Sequence, residues 1–442
     1  MGFFILLFLT VILLLPAFFI IKRMSGGINL NYISIWFLIY IIFSLMGALL
    51  ISSGFVSSSY FVKPFNDKAN VLFVGGIFTI YIGVVIFYTL SYLMKLFCFG
   101  YDDLNFKRKL IIRKDDMFAL NILFFIFILS FVYFIYISFP SPLIMAFRGD
   151  NALDIANRRL DITKDLGLIG NTYIVAIGRV LSYIIPYAYI IVSRHKHNMK
   201  YKVLAIFSLL LAVFYLLNTG EKAPIVFFAM GAVLSYKLSL QKVFNLSPKI
   251  ILIFSLVIVF IYFIFVSTDF EKVFLLISDR IFIAQQIAIY CSFDHYNNIF
   301  GEIGFSSMSN IFTKIFSVVN TLASSSELMK VYYPGMLENG GWNINGIFVY
   351  EAWSNFGILG VILSPFLVAI ESFVFLYVIF KLPNKPFYLA LYCYACINVN
   401  YFLTSFSAYF YQSDWIVFSV IIFIYLFMSS LYRAIVKEQS EQ

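Results

Sequence analysis

The side chains best able to transfer protons or to bind hydroxyl groups are concentrated in one polar stretch of an otherwise apolar sequence. This stretch, called here the outer loop, runs from Thr268 to Phe356. Its candidate acids, bases and cation are Arg280, Asp294, His295, Glu302, Glu327, Glu338 and Glu351. Carboxylates and imidazoles act as general acids and bases, and amides such as Asn345 hydrogen-bond hydroxyl groups. Long ordered loops are usually functional, so we predict that the outer loop is the functional surface. A disordered cap is the alternative.

Basic residues that could hold an anion form a second group of candidates. Arg148 precedes a predicted helix from Ala152 to Leu166. On that helix Arg158 shares a stripe with three aspartates at pairing distance, which predicts a structural role. Arg159 falls on the other, apolar stripe, where a charge needs an anionic partner. The alternative for Arg159 is that its side chain snorkels to lipid phosphates.

Two further basic residues are candidates because of their position along predicted membrane spans. Arg179 lies about 10 Å inside a span, given a helical rise of 1.5 Å per residue, and a charge at that depth is functional by default. Lys222 lies in a turn before Pro224, where the next helix would begin with unpaired amide hydrogens, which suits an anion. A simple hairpin in which Glu221 and Lys222 offset each other is the alternative.

The composition predicts that these residues belong to an all-α polytopic membrane protein. Hydrophobic residues make up 62% of the chain and charged residues only 12%, whereas a soluble domain has about 25% charged residues. A span needs about 20 apolar residues. We predict about eleven spans within a single membrane domain covering residues 1–442: Phe3 to Ile21, Ile33 to Ile51, Val71 to Met94, Phe118 to Phe139, Thr172 to Ser193, Val203 to Asn218, Pro224 to Tyr236, Ile250 to Ser267, Gly357 to Phe380, Phe387 to Phe410 and Trp415 to Tyr432.

The distribution of lysine and arginine predicts the orientation, because basic residues in short loops remain cytoplasmic. Nineteen of the 31 basic residues fall in one alternate set of loops: Lys22, Arg23, Lys95, Lys107, Arg108, Lys109, Arg113, Lys114, Arg194, Lys196, Lys200, Lys202, Lys237, Lys242, Lys249, Lys381, Lys385, Arg433 and Lys437. This places the N-terminus and the outer loop outside and the C-terminus in the cytoplasm. The first span lacks a basic segment before it and is predicted to be an uncleaved anchor.

The other charged and thiol groups call for no additional partner. The net charge of +9 is explained by the basic cytoplasmic loops, so no nucleic acid is expected. The segment Lys95 to Asp116 is predicted to be a solvated loop near the lipid headgroups. Cys393 and Cys396 lie in an apolar span without further ligands, so we expect small buried residues rather than a metal or redox site.

Two segments of the outer loop should be held close to the membrane. Val273 to Phe293 is apolar but is interrupted by charged and amide residues, so we expect it to be re-entrant or to lie in the interface. Asn345 to Gly360 is predicted to be a helix that enters the next span, with Glu351 facing the same way as Phe348 and Asn355.

Several of these features together resemble the Wzy-type polymerases of bacterial O-antigen and capsule repeat units, membrane enzymes of the GT-C-like class. The matching features are the span number, the outer arginines, the turn with Gly220 and Lys222, and the end of the outer loop. The end of the outer loop has an asparagine, then an acid, then glycines, in the order found in the family: Asn345, Glu351, Gly357 and Gly360. Lys222 stands where arginine is commoner in the family.

The resemblance implies transfer of a growing glycan from undecaprenyl pyrophosphate to the non-reducing end of another lipid-linked repeat unit, at the outer face of the bacterial inner membrane. The implied partners are these two substrates, the lipid bilayer, a chain-length regulator and a flippase, with no cofactor and no metal. The leaving pyrophosphate needs cations and the acceptor hydroxyl needs a base. The cation candidates are Arg148, Arg159, Arg179, Lys222 and Arg280, with Asn345 as a further binding residue. The base candidates are Glu351 and His295, with Asp294 behind them.

Two other functions compete with polymerisation. A ligase that moves finished glycan to a lipid A core would use the same chemistry and differ only in its acceptor. A lipid-linked oligosaccharide flippase would favour a charged central cavity and short loops on both sides, which the length of the outer loop argues against.

The stripe argument predicts different outcomes for two adjacent arginines. Arg159→Ala should abolish long glycan chains, whereas Arg158→Ala should largely spare them, because only Arg159 lies off the stripe that carries the aspartates. Glycan profiles of cells producing each variant measure the effect, with protein abundance as the control. Equal loss at both positions with normal abundance would contradict the argument.

Overall fold

The structure is a computed structural model, and it describes residues 2–26, 29–165, 169–218, 223–242, 270–306, 324–338, 344–398, 406 and 413–441. Helices make up 81% of the structure, and no strand occurs within these ranges. The predicted all-α class is therefore confirmed. Since the helices are long and apolar, the chain is a multi-pass membrane protein.

Eight helices in the described ranges are long and apolar enough to cross a membrane. They are α1 (Gly2–Ser25), α2 (Tyr32–Ser53), α3 (Ala69–Leu96), α4 (Lys114–Ser138), α6 (Ile169–His195, with the span at Tyr173–His195), α7 (Met199–Asn218), α12 (Val349–Lys381) and α14 (Ser413–Glu441, with the span at Ile416–Lys437). The remaining main helices are α5 (Ala152–Asp165), α8 (Ala223–Ser239), α9 (Phe270–Ile277), α10 (Ile287–His295), α11 (Ser324–Tyr332) and α13 (Pro386–Ile397).

Eight of the eleven predicted spans coincide with these long helices. The predicted span from Pro224 is the shorter helix α8, and the one from Phe387 begins as α13. The predicted span Ile250 to Ser267 lies outside the described residues. The predicted amphipathic helix from Ala152 is α5.

The chain divides into two compact units. The first consists of Met1–Leu104, Asn245–Tyr377 and Val399–Tyr411. The second consists of Asn105–Phe244, Val378–Asn398 and Gln412–Gln442. Each unit is assembled from segments distant in sequence, because helices that are neighbours in space need not be neighbours along the chain.

In the first unit, α1 and α2 both pack on α3. The contact between α2 and α3 is aromatic, with the rings of Phe37 and Phe87 perpendicular at 4.8 Å. The Tyr40 hydroxyl donates to the Thr79 carbonyl at 2.7 Å. A hydroxyl buried at this depth needs such an acceptor, since no water is present to replace it.

In the second unit, the central helix is α6, which packs against α4, α7, α8 and α13. Of the eight long helices, α6 has the most buried span. Tyrosine hydroxyls link it to its neighbours. Tyr187 donates to the Phe228 carbonyl at 2.9 Å, and Tyr215 of α7 donates to the Val175 carbonyl at 2.8 Å.

The orientation predicted from the basic residues can be tested by labelling single cysteines with an impermeant thiol reagent. Ser324 and Asn105 are buried, so the exposed Lys330 and Lys109 are the better positions. In a background without the four native cysteines, Lys330→Cys should be labelled in cells with a permeabilised outer membrane. Lys109→Cys should be labelled only after the inner membrane is opened. The reverse pattern would overturn the orientation.

Candidate functional site

The outer loop contributes a bent helical segment, Val273–His295, to the first unit. Its two helical parts are bent by 64° at a short break before Ile287. The second part, α10, runs along α3 towards its N-terminal end. Gln286 donates from Nε2 to the Thr79 hydroxyl at 2.5 Å, and Asp294 reaches Lys68, next to the first residue of α3.

The first part of the bent segment packs against α2. The Phe282 carbonyl lies where a side chain on Gly47 would begin, 2.3 Å from an added Cβ atom. Glycine at this position therefore allows the two backbones to approach closely. One turn earlier in this part, the Ser59 hydroxyl lies beside the Asp279 carboxyl group.

Two points of the bent segment contact the same short connection between α2 and α3. Asp279 lies beside Ser59 and Asp294 contacts Lys68, while Gln286 between them reaches Thr79. Ten residues of helix separate Thr79 from Ala69, which is roughly 15 Å. A bent pair of this kind is either a broken span or a re-entrant segment, the second of which was one of the two alternatives predicted from the sequence.

A polar cluster forms where α10 ends. Lys68 Nζ lies 2.6 Å from Asp294 Oδ2, and the Tyr332 hydroxyl donates to the same oxygen. Burial raises the pKa of Tyr332, and its hydrogen bond to Asp294 raises it further, so the phenol remains a donor. The Phe65 ring stacks on Tyr332 at 5.4 Å. The Asp294 carboxylate is therefore held in place by a cation and a phenol.

His295 is half-buried beside this cluster. Its ring meets the edge of Tyr296 at 4.7 Å and that of Tyr332 at 6.4 Å. Trp353 fixes the position of Tyr296 by donating from Nε1 to the Tyr296 carbonyl at 2.8 Å. Burial raises the pKa of the Tyr296 phenol, with smaller contributions from Glu327 and Glu302. Aromatic rings, an imidazole and carboxylates therefore line one surface of the first unit.

Glu351 is a buried residue of α12. Its Oε2 accepts a hydrogen bond from the Phe406 amide at 2.6 Å, and the Phe356 and Phe406 rings meet at 6.1 Å. Phe348 and Asn355, which were predicted to face the same way as Glu351, are buried as well. The carboxylate therefore fixes residue 406 to α12.

The helix containing Glu351 differs from the prediction in two respects. It begins at Val349 rather than Asn345, because Ile344 donates to the Ser325 carbonyl and Asn345 accepts from Ala288, which hold the backbone extended. It is also broken at Gly357, where φ is 58° and ψ is −140°. Only glycine adopts this conformation readily.

Residues Ile299–Gly304 supply the backbone hydrogen-bond partners that α12 loses at the break at Gly357. The amides of Glu302 and Ile303 both donate to the Ser354 carbonyl at 3.0 Å, and Ile358 donates to the Ile299 carbonyl at 2.8 Å. A Cβ atom on Gly357 would lie 1.8 Å from that carbonyl oxygen. The outer loop is therefore fastened to α12 by backbone hydrogen bonds.

The other predicted site residues of the first unit are exposed. Arg280 follows Asp279 in the bent segment. Asn345 projects its side chain outward while its carbonyl accepts from Ala288 at 3.3 Å. The first unit thus holds Arg280, Asn345, Glu351 and the Asp294–His295 pair, in three different surroundings.

The predicted arginines lie in the second unit. Arg148 is exposed at the end of a short helix, Arg159 is half-buried, and Arg179 is exposed on α6. Arg158 donates to the carbonyls of Pro140 and Phe139 at 3.1 and 3.0 Å, contacts that the sequence did not indicate. Lys222 lies outside the described residues.

A buried charge network in the second unit was missed by the sequence analysis, which placed Asp115 and Asp116 in a solvated loop. Both are buried. Asp116 Oδ1 accepts from Lys385 Nζ at 2.6 Å and from the Tyr425 hydroxyl at 2.8 Å, and Asp115 accepts from Ser429 at 2.9 Å. The partners lie far away in sequence, so only the fold brings them together.

A metal centre needs several thiol, imidazole or carboxylate ligands close together. Cys393 and Cys396 are buried, as predicted. In the parts of the chain that the structure describes, no three His, Cys, Asp or Glu side chains are grouped closely enough to share a metal ion.

From the conformation of Gly357 and its contact with Ile299 we predict that Gly357→Ala destabilises the protein. The substitution forces a strained backbone and a clash with the Ile299 carbonyl, so the free energy of unfolding should fall by roughly 2 kcal/mol or more. Thermal unfolding in detergent measures this. Gly335→Ala is the matched control, because its nearest neighbour would be the Tyr60 hydroxyl at 3.8 Å. Equal melting temperatures for the two variants would contradict the account.

Comparison of the chain with models of protein families, with curated proteins and with solved structures finds no match in any of the three.

Proposed function

We propose that this protein polymerises lipid-linked oligosaccharide repeat units, as the Wzy-type enzymes that its sequence resembles do. The growing glycan would leave its undecaprenyl pyrophosphate carrier and join the non-reducing end of a second lipid-linked repeat unit. The reaction would occur at the outer face of the bacterial inner membrane and would build O-antigen or capsule. The N-terminus would lie outside and the C-terminus in the cytoplasm.

The observation that carries the proposal is the bent segment of the outer loop. It brings an exposed cation, Arg280, and the Asp294–His295 pair into one compact unit beside the connection between α2 and α3. A lipid-linked substrate presents its pyrophosphate at the membrane surface and its sugars above it. A segment that enters the membrane from that surface and leaves on the same side can contact both parts.

Each part of the reaction has candidate groups among these residues. A pyrophosphate leaving group gains negative charge as its bond to the sugar breaks, and an arginine fork can contact two of its oxygens. Arg280 is the candidate in the first unit, and Arg148, Arg159, Arg179 and Lys222 are candidates in the second.

The polar surface around His295 suits the sugars. Imidazole, phenol, amide and carboxylate groups together donate and accept hydrogen bonds, which is what a ring of hydroxyl groups requires. Tyr296 and Tyr332 supply the phenols, and Asn345, elsewhere in the first unit, supplies an amide. The proton acceptors suggested by the sequence are Glu351, His295 and Asp294. Two of these, Glu351 and Asp294, already accept hydrogen bonds from other residues of the protein.

A deletion strain tests the function as a whole. Loss of long glycan chains, with single repeat units still attached to the cell surface, is the expected result. Retention of polymer on the carrier lipid would indicate a ligase instead. Accumulation of repeat units that remain inaccessible from outside would indicate a flippase.

The role of Arg280 gives the sharpest prediction. Arg280→Ala should abolish polymerisation and Arg280→Lys should retain only weak activity, because lysine offers a point charge in place of the two-pronged guanidinium. The expected loss in transition-state stabilisation exceeds about 2 kcal/mol, the effect of removing one oxyanion donor. Purified protein with lipid-linked repeat units measures it.

Lys330→Ala is the matched control, since Lys330 is an exposed cation of the same loop. It should polymerise at the wild-type rate. Wild-type turnover by Arg280→Ala would remove the assignment of Arg280 to the pyrophosphate.

A further inference from the structure

Ser278, Asp279 and Arg280 open a π-helical turn in the bent segment. The amide of Ala284 donates to the Asp279 carbonyl at 2.8 Å, five residues back, instead of four as in an α-helix. Single π-helical turns are rare, and they occur frequently at functional sites because they rotate side chains out of the regular helical positions. Here the turn contains two adjacent charged residues, Asp279 and Arg280. Charged side chains are energetically costly inside a membrane.

One carboxylate oxygen of Asp279 has no hydrogen-bond partner among the residues that the structure describes. This atom, Oδ1, is buried. The hydroxyl of the preceding residue, Ser278, is likewise buried and has no partner among the described residues. The Ser59 hydroxyl lies beside the carboxyl group. A buried acceptor left unpaired is destabilising, and a bound molecule is one way to complete it.

The other acids of the first unit that were candidates for proton transfer differ in this respect. Asp294 Oδ2 accepts from both Lys68 and Tyr332, and Glu351 Oε2 accepts from the Phe406 amide. These bonds occupy lone pairs of Asp294 Oδ2 and of Glu351 Oε2. Asp279 Oδ1 accepts no hydrogen bond from the residues that the structure describes, and Asp279 stands next to the arginine assigned to the pyrophosphate.

We infer that Asp279 is the group that takes the proton from the acceptor hydroxyl, an inference that rests on the proposed polymerase function. The acceptor O–H bond breaks and its proton moves to Asp279 Oδ1. The acceptor oxygen bonds to the anomeric carbon of the donor sugar, and the bond from that carbon to the pyrophosphate oxygen breaks, leaving its electron pair on the pyrophosphate. No oxidant or reductant takes part.

Asp279 and Arg280 are consecutive residues of the bent segment. The attacking oxygen must approach the anomeric carbon to about 3–3.5 Å, and the leaving oxygen lies on the other side of that carbon. One sugar bound at this turn would therefore need Asp279 on its attacking side and Arg280 on its pyrophosphate side. His295, at the far end of the bent segment, would then contact the glycan.

Asp279→Asn tests the inference with purified protein and lipid-linked repeat units. It removes the proton acceptor and keeps the size of the side chain, so turnover should fall by about 100-fold or more, the usual contribution of a general base. Asp279→Glu should recover part of the activity. Asp67→Asn, at an exposed acid of the connection between α2 and α3, is the matched control and should polymerise at the wild-type rate.

A second measurement requires no activity. A hydrophobic carbodiimide, which reacts with carboxyl groups in apolar surroundings, should modify Asp279 in the wild-type protein, and peptide mass spectrometry locates the adduct. Bound lipid-linked repeat unit should protect Asp279, and it should not change the labelling of exposed acids. This reports on the site even where Asp279→Asn fails to accumulate.

The outcomes separate the inference from the proposed function. Full turnover by Asp279→Asn, or labelling of Asp279 that substrate leaves unchanged, would overturn the role of Asp279 while polymerisation by the wild type still stands. Absence of polymerisation by the wild-type protein, together with an unchanged glycan profile in the deletion strain, would overturn the proposed function and the role of Asp279 with it.

Discussion

In a hydrocarbon environment every backbone amide and carbonyl must find a partner within the protein, and the first unit depends on how this requirement is met where its helices are irregular. The break in α12 at Gly357 releases the carbonyl of Ser354 and the amide of Ile358 from helical bonding. Residues Ile299–Gly304 supply the missing partners. The same hydrogen bonds that satisfy α12 therefore position the outer loop.

The two units meet this requirement in different ways. The second unit is built from long regular helices, with tyrosine hydroxyls and a buried ionic network connecting them. Asp116 alone binds Lys385 and Tyr425, so it joins α4, the start of α13 and α14. Removing one partner from such a network is costly, because it leaves a buried charge uncompensated. The first unit instead carries two π-helical turns and a helix break, and Asp279 and Arg280 lie in one of these turns.

Polar groups near the membrane acquire distinct properties from their neighbours. Asp294 and Asp279 are the same residue type in one short segment. Asp294 is held by Lys68 and Tyr332, whereas one oxygen of Asp279 has no hydrogen-bond partner among the described residues. This contrast is a consequence of packing, since the bent segment places Asp294 against Lys68 and Asp279 beside Ser59. Reactivity in this protein is thus assigned by position more than by residue identity.

The sequence by itself determined the membrane class, the bounds of most long helices, the amphipathic helix α5 and the burial of Cys393, because these follow from apolar run length and periodicity. It also singled out the bent segment as too polar for an ordinary span. It did not determine the burial of Asp115, the start of α12 at Val349 or the break at Gly357. Those depend on Ser429, Ser325 and Ile299, which are distant in the chain, and only the tertiary structure decides which distant groups meet a given charge or backbone atom.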